Sequence, residues 1–351
     1  MLVDGRLERR RRTGVATVIR ETRAAMAAEP PRDMRVEWLR GPRGLPRRGR
    51  LTSLANLALD LAWLHAWIPL QAWRRRAALV HSPVNWTPWW CPCPTTVTVQ
   101  DLSFERLPDA YPDGFRRYAS TFARRSARRA RRVIATSGAG ARDVEELYRV
   151  PGERVRVVPL GCHLDDEPER DREPYVLYVG EFEPRKRVVD LVLGHRRYFT
   201  EAPTHPPVCR LVLVGGGGSE EEAVRRAAGP GVDMLGFVDG DDLAELYRRA
   251  TLFVSASAYE GFGLPIAEAM AHGCPVLVAA NSAQPEVAGP AGLLITGPGP
   301  DGVTAALTAA LADRGELARR GRACRERAAE LTWGASARGT LEVFREALGD
   351  G

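Results

Sequence analysis

An α/β protein built from two doubly wound parallel sheets is predicted by two features of the chain. Short apolar runs rich in Val, Leu and Ile alternate with longer segments of helical period, and the alternation restarts after a charged, proline-flanked stretch near residue 165. The length, 351 residues, suits two domains of ordinary size better than one core.

In the first half, LVDGR reads as the opening strand. Gly14 sits in the turn before a helix from Val15 to Ala28. MRVEWLR is the second strand. An apolar helix is expected from Leu51 to Trp67, with Leu54, Leu57, Leu61 and Leu64 on one stripe and Pro69 breaking or kinking it. AALVHSP and TTVTVQD are buried strands. A basic amphipathic helix from Phe115 to Arg132 follows, then the strand RVIATS, a helix near Gly140–Tyr148 and the strand RVRVVPLG.

Residues 165–174, DDEPERDREP, have no periodicity and read as a linker. The second half then runs YVLYVGEF, a helix from Val188, LVLVGGGG, a helix from Glu220, VDMLGFV, a helix from Asp241, TLFVSAS, a helix from Pro265 and PVLVAA. Three further helices close the chain. The expected division is 1–164, a linker 165–174, a domain 175–335, and a final helix within 336–351. Ligands of such sheets bind at the carboxyl ends of the strands, and two such edges can face each other across a cleft.

Composition narrows the classes. Hydrophobic residues make up 44% and charged residues 27%, an ordinary globular balance. No run reaches the roughly 18 apolar residues of a spanning helix. The N-terminal MLVDGRLERRRRTG lacks the apolar stretch of a secretory signal, so a cytoplasmic location is expected. The six cysteines form no C-x-x-C pair and no zinc spacing, so neither metal nor cofactor is expected. Charge is uneven: residues 1–168 balance to +12 and residues 169–351 to −6. The basic half can meet nucleic acid, anionic lipid or a phosphate-bearing acceptor, or it is simply a solvated arginine-rich surface. Helix 115–132, with Phe115, Tyr118 and Phe122 among its arginines, is the candidate for peripheral contact with the inner face of an anionic membrane. Its alternative is an ordinary surface helix with its aromatics turned inward.

Two local signals point to a phosphate ligand. The chain has 49 arginines and one lysine, Lys186. A lysine retained against that background marks a place for a compact ammonium with rotatable donors, where a planar guanidinium fits poorly. The other signal is SASAYEGFGLPIAEAMAHGCPVLVA. Gly261 and Gly263 let backbone approach a ligand, Pro265 suits a first helical position, and N–H groups at that helix start suit a diphosphate. Glu260 and Glu268 stand eight residues apart, one before the helix and one within it. Together they can accept hydrogen bonds from sugar or ribose hydroxyls. In GGGGSEEE, Ser219 and Glu222 have capping-box spacing, and no dinucleotide fingerprint follows.

This segment resembles the E-x7-E signature of the family-four retaining glycosyltransferases, which have the GT-B architecture of two Rossmann-like domains. VLYVGEFEPRKRVVDLV, LVLVGGGGSEEE and VDMLGFVDGDDLAELYRRATLFVSAS resemble the approach to that signature. Loop 183–186, Glu-Pro-Arg-Lys, resembles that of a mannosyltransferase-like subgroup. VDGRLERRRRTGVATVIRE and VTVQDLSFERLPDAYP resemble the N-terminal motifs.

The resemblance implies metal-independent transfer of a hexose from a nucleotide-diphosphate sugar, GDP-mannose or a UDP-hexose, to a hydroxyl acceptor with retention. It assigns Arg185 and Lys186 to the diphosphate and Glu260 to the sugar, with Gly261, Phe262, Gly263 and Leu264 lining both. Glu268 goes to the ribose, and Gly236, Phe237 and Val238 to the base. Gly14 goes to the donor phosphates, and Gln100 and Asp101 to the donor sugar. Gln100 departs from the family's histidine and offers hydrogen bonds without a titrating charge. Where many members have Arg after the strand-end glycine, this chain has Glu181. The first domain would bind the acceptor, whether a sugar, a lipid-linked or a small molecule. The final helix would pack back on that domain. A sugar-nucleotide epimerase of the same architecture is one alternative. A nucleic-acid-binding protein is the other; it explains the basic half but not the E-x7-E turn.

Overall fold

A computed structural model describes residues 1–8, 14–42, 50–167, 171–201 and 209–349. The chain forms two compact units, Met1–Leu160 with Trp333–Gly351, and Gly161–Thr332. Among the described residues each unit holds one six-stranded sheet.

The strands of the first sheet are β1 (Leu2–Asp4), β2 (Glu37–Leu39), β3 (Val80–Ser82), β4 (Thr95–Val99), β5 (Arg132–Ala135) and β6 (Val155–Val157). All pair in parallel, in the order β2-β1-β3-β4-β5-β6. Both faces of this sheet are covered by helices, so strands such as β4 are buried nearly throughout, threonines included. Ala119, Ala123 and Ala127 of helix Asp113–Arg129 pack on one side. The closing helix Trp333–Gly349 lies in this unit, where Ala337, Leu341, Phe344 and Ala347 share a core cluster with Met26 and Leu79.

The second sheet contains β7 (Glu173–Gly180), β8 (Arg210–Gly215), β9 (Val232–Gly236), β10 (Ala250–Ser255), β11 (Val276–Ala279) and β12 (Leu293–Ile295). It too is parallel, ordered β12-β11-β10-β7-β8-β9. The chain winds outward from β7 to β9, then crosses back so that β10 lies on the other side of β7. That reversal makes the β7/β10 boundary the topological switch point, where a crevice opens beyond the strand ends. Cys162 N–H donates to Leu331 O at 2.8 Å, which fastens the start of this unit to its end.

Several local expectations are corrected. Pro69 does not end its helix. The helical path runs through Arg50–Ala62, a π-helical turn Trp63–Trp67, and Ile68–Arg74. The Ile68 N–H reaches back five residues to Trp63 O. This wider turn accommodates a proline that has no N–H to offer and whose ring would crowd the carbonyl four residues back. The leucine stripe is only half buried: Leu64 is inside, Leu57 is 41% exposed, and the side chain of Leu54 lies outside the described residues.

The basic helix ends at Arg129, and Arg132 opens β5. Ser219 forms no capping box. Its Oγ donates to Glu183 Oε2 (3.3 Å), while Glu221 Oε2 accepts the Gly217 N–H at 2.7 Å. Strand β12 lay unread in the sequence. The units part between Leu160 and Gly161, ahead of the expected 165–174 linker, of which residues 168–170 lie outside the described residues. Asp165 is buried in the second unit, ion-paired to Arg248 at 2.6 Å, with His272 Nδ1 2.8 Å away. Glu173 already belongs to β7. Among the described residues no helix is long and apolar enough to cross a membrane.

Candidate active site

The switch point of the second unit carries the site. Beyond β7 the chain turns through Glu181–Glu183 into a 3-10 turn, Pro184–Lys186, and Arg187 takes a left-handed conformation before helix Val188–Glu201. Glycines from the neighbouring loop let this turn sit low. A Cβ on Gly215 would lie 2.2 Å from Gly180 O, so no other residue fits there. The tetraglycine stretch thus packs the β7 loop.

Beyond β10 the chain runs through Tyr259–Gly263 into helix Leu264–Ala271. Gly263 holds φ +99°, a left-handed cap that turns the chain into the helix. The two loops are tied by backbone, with Ala258 N–H donating to Arg185 O at 2.7 Å. Their side chains meet as well. Lys186 Nζ lies 2.5 Å from Glu260 Oε1, and Arg185 Nη1 lies 3.3 Å from Glu260 Oε2. Burial drives the Glu260 carboxyl upward. The charges of Lys186 and Arg185 and hydrogen bonds from Lys186 and Ser257 outweigh it, so the group is held below the ordinary carboxylate value. One largely buried carboxylate therefore faces two cations at a strand-end crevice.

A third loop, after β11, props up the second. Ser282 Oγ accepts the Glu260 N–H at 3.0 Å, although Ser282 itself holds φ +50°. Gln284 is fully buried. Its Nε2 donates to Ser257 O (2.9 Å) and Asn281 Oδ1 (3.0 Å), and its Oε1 accepts from Ser255 Oγ (2.7 Å). Such a closed polar network positions a loop more strictly than apolar packing does. Sequence reading missed these residues. PVLVAANSAQPE showed a strand, but nothing local says that the turn after it reaches the β10 loop.

Glu268 sits in the first helical turns, with Oε2 accepting from Tyr247 Oη at 3.0 Å. Burial raises its carboxyl above the ordinary value, against the Tyr247 bond and the charge of His163. Tyr247 stacks on His272 with centroids 5.6 Å apart, which links Glu268 to the Asp165–Arg248 pair.

The structure therefore brings Arg185, Lys186, Glu260 and the loop Gly261–Leu264 together, with Glu268 further along the same helix. Gly236 ends β9, the edge strand, separated from β10 by β7 and β8; Phe237 and Val238 follow it, and Phe237 is 66% exposed. The remaining candidates are in the first unit. Gly14 opens helix Gly14–Ala28, directly after residues outside the described set. Gln100 donates through Nε2 to Pro83 O (2.8 Å), so part of the amide expected to face donor is engaged within its own unit. Asp101 Oδ1 accepts from Ser103 N–H (3.0 Å) and Oγ (2.7 Å), so it is engaged at the start of the short helix Ser103–Arg106, whose N-cap is Leu102. Among the described residues no group of three or more His, Cys, Asp or Glu is placed to hold a metal ion.

Comparison with known proteins bears on both units. The family described as "Glycosyltransferase Family 4" matches residues 11–166, and "Glycosyl transferases group 1" matches residues 163–328. Sucrose-phosphate synthase from Thermosynechococcus elongatus shares the fold, with a TM-score of 0.78 over 100% of this chain and 99% of that one at 22% identity. The chain has the GT-B fold, and each of its halves is similar to a glycosyltransferase family. O-antigen chain mannosyltransferase B of Escherichia coli is 30% identical over 234 residues, 62% of this chain and 61% of that protein. D-inositol 3-phosphate glycosyltransferase of Nocardia farcinica is 31% identical over 240 residues, 62% of this chain and 53% of that protein. The chain thus spans little more than half the length of the curated relatives it matches.

Proposed function

We propose that the chain is a retaining glycosyltransferase moving a hexose from a nucleotide-diphosphate sugar to a hydroxyl acceptor. The observation that carries this reading is the meeting of Lys186 and Arg185 with Glu260 at the β7/β10 switch point. When the bond from C1 to the diphosphate breaks, negative charge gathers on the departing phosphate and positive charge on the sugar. Two fixed cations serve the first, and carboxylate and backbone dipoles serve the second. Groups already in place cost no reorganisation at the moment of reaction. Glu260 holds the cations in position and turns an oxygen to sugar hydroxyls. Gly261, Phe262, Gly263 and Leu264 line sugar and phosphate, Glu268 takes the ribose, and Gly236–Val238 flank the base.

We assign donor binding mainly to the second unit and acceptor binding to the first, and keep Gly14 for the donor phosphates and Gln100 for the donor sugar. The names of the relatives, a mannosyltransferase and an inositol-phosphate glycosyltransferase, favour GDP-mannose or a UDP-hexose as donor. A thermal-shift screen of nucleoside diphosphates and nucleotide sugars tests this, because a ligand that binds only the native state raises its melting temperature. The matching donor is then incubated with candidate acceptors and the product anomer read by NMR. No stabilisation by any nucleoside diphosphate would remove the donor site, and an inverted product would remove the retaining mechanism.

A further inference from the structure

Exposed apolar surface is concentrated in one part of the first unit. Of thirteen large apolar side chains exposed among the described residues, seven fall between Leu57 and Trp90. From Leu51 to Trp73 the only formally charged side chain is Asp60. A helix covering a core normally turns polar residues outward. Here the inner face is apolar, with Leu64 and Ile68, and so is the outer one: Trp67 is 45%, Leu70 42% and Trp73 67% exposed. Loop residues Trp89 and Trp90 are half or more exposed. The Trp89 N–H donates to His65 Nδ1 at 3.2 Å, which fastens this loop against the helical segment. Trp73, Arg74, Arg76 and Pro92 border one shallow hollow, so the end of the helical segment adjoins the loop that carries Trp89 and Trp90.

Charge decides what covers this face. The run Arg74–Arg76 ends the apolar helix. Arg75 pairs with Glu37, whereas Arg74 and Arg76 have no ion pair among the described residues. The whole unit has 32 basic and 18 acidic residues, a balance of +14. Tryptophan prefers the boundary between hydrocarbon and water, and arginine there meets phosphate headgroups. A second copy of the same basic unit would be repelled. We propose that Trp67, Leu70, Trp73, Trp89 and Trp90, with Arg74 and Arg76, form a docking face for a bilayer surface containing anionic lipid. The contact therefore belongs here and not to helix Asp113–Arg129, whose Tyr118 and Phe122 are packed against Trp86 and Trp89.

The full chain is tested by flotation with vesicles of phosphatidylcholine alone and with one-third phosphatidylglycerol, following tryptophan emission. Binding to the anionic vesicles with a blue shift is expected. Exchanging both Trp73 and Trp90 for Ser should weaken it by about tenfold or more. Each of Arg74→Gln and Arg76→Gln should weaken it by about fivefold, the worth of one basic residue near an anionic surface. Circular dichroism confirms that each variant is folded. Three results would overturn the proposal: no binding to anionic vesicles, undiminished binding in the tryptophan variant, or loss confined to an Arg117→Gln/Arg129→Gln control. A lipid-independent dimer dissolved by the tryptophan exchanges would identify the face as a self-interface and would also overturn it.

Discussion

Both sheets reverse direction, and each has an ion pair at its switch point, but the two pairs are built differently. In the first unit the reversal lies between β1 and β3. Asp4 ends β1, with Arg6 Nε 3.4 Å away and Trp63 Nε1 donating to it at 3.0 Å, and both charged residues are at most 3% exposed. The partners are two residues apart, matched one to one and sealed by an indole. In the second unit one carboxylate faces two cations from a loop about 75 residues away in sequence, with glycine backbone beside it. A sealed neutral pair holds a fold together. On the proposed function, a carboxylate shared by two cations at a strand end gives up part of its hold on them to a ligand phosphate.

The largest effect should come from breaking the sealed pair. Arg6→Ala leaves Asp4 buried without its cation, which should cost about 3–5 kcal/mol of stability. Nucleoside-diphosphate affinity, measured by calorimetry at a temperature where the variant is folded, should stay within about threefold, since a one-to-one pair has no surplus charge to offer phosphate. A parallel loss of affinity would mean that both switch points serve the donor.

Lys186→Ala is the converse. Turnover should fall about 100-fold or more, as for loss of a single electrostatic donor to a transition state, with a much smaller change in melting temperature. Lys186→Arg should also be impaired, because a planar guanidinium does not reproduce an ammonium packed against Glu260. Full activity of the alanine variant in steady-state kinetics would reduce the site to another structural ion pair.

Acid should separate the units further. His81 is fully buried on β3 beside Thr96 and Thr98, and burial lowers its imidazole to about 3. The unfolded chain, at about 6.5, binds the proton first. Stability is therefore full above pH 6.5 and falls as pH drops towards 3, by about 1.4 kcal/mol per unit. Denaturant titrations at pH 7 and pH 5 should show His81→Gln losing about 2 kcal/mol less than wild type. Equal losses would show that His81 is not the group responsible. Glu268 has the opposite sign, because burial raises its carboxyl: its contribution falls as pH rises above the ordinary carboxylate range.

The smallest effect separates the two glutamates. Glu268→Gln should weaken free nucleoside diphosphate by about tenfold, the worth of a charge-assisted hydrogen bond. Glu260→Gln should spare free nucleotide and lower transfer. Equal calorimetric losses in both would merge the roles.

The candidate residues were legible wherever their signal is local. The lone lysine, the glycines of Tyr259–Leu264 and the spacing of Glu260 and Glu268 are properties of one segment, and so are the apolar strands that precede them. Legibility failed where a partner came from elsewhere. Ser219 and Glu222 had the spacing of a capping box, but Glu221 reached the glycine turn instead. Asp165 looked like solvated linker, and Arg248 and His272 proved to bury it. Pro69 read as either a break or a kink, and only the fold shows that a π turn carries the helix past it.

By itself the sequence determined the kind and order of the elements, the two-part α/β plan and the candidate residues, because side-chain periodicity, glycine freedom and proline geometry act within a few residues of the chain. The tertiary structure alone decided that β10 returns beside β7, that Lys186 and Arg185 there meet Glu260, and that Ser282, Gln284 and Tyr247 hold the two glutamates. Strand order and long-range ion pairs follow from burying two faces of a sheet at once, and no single segment encodes which distant partner completes that burial.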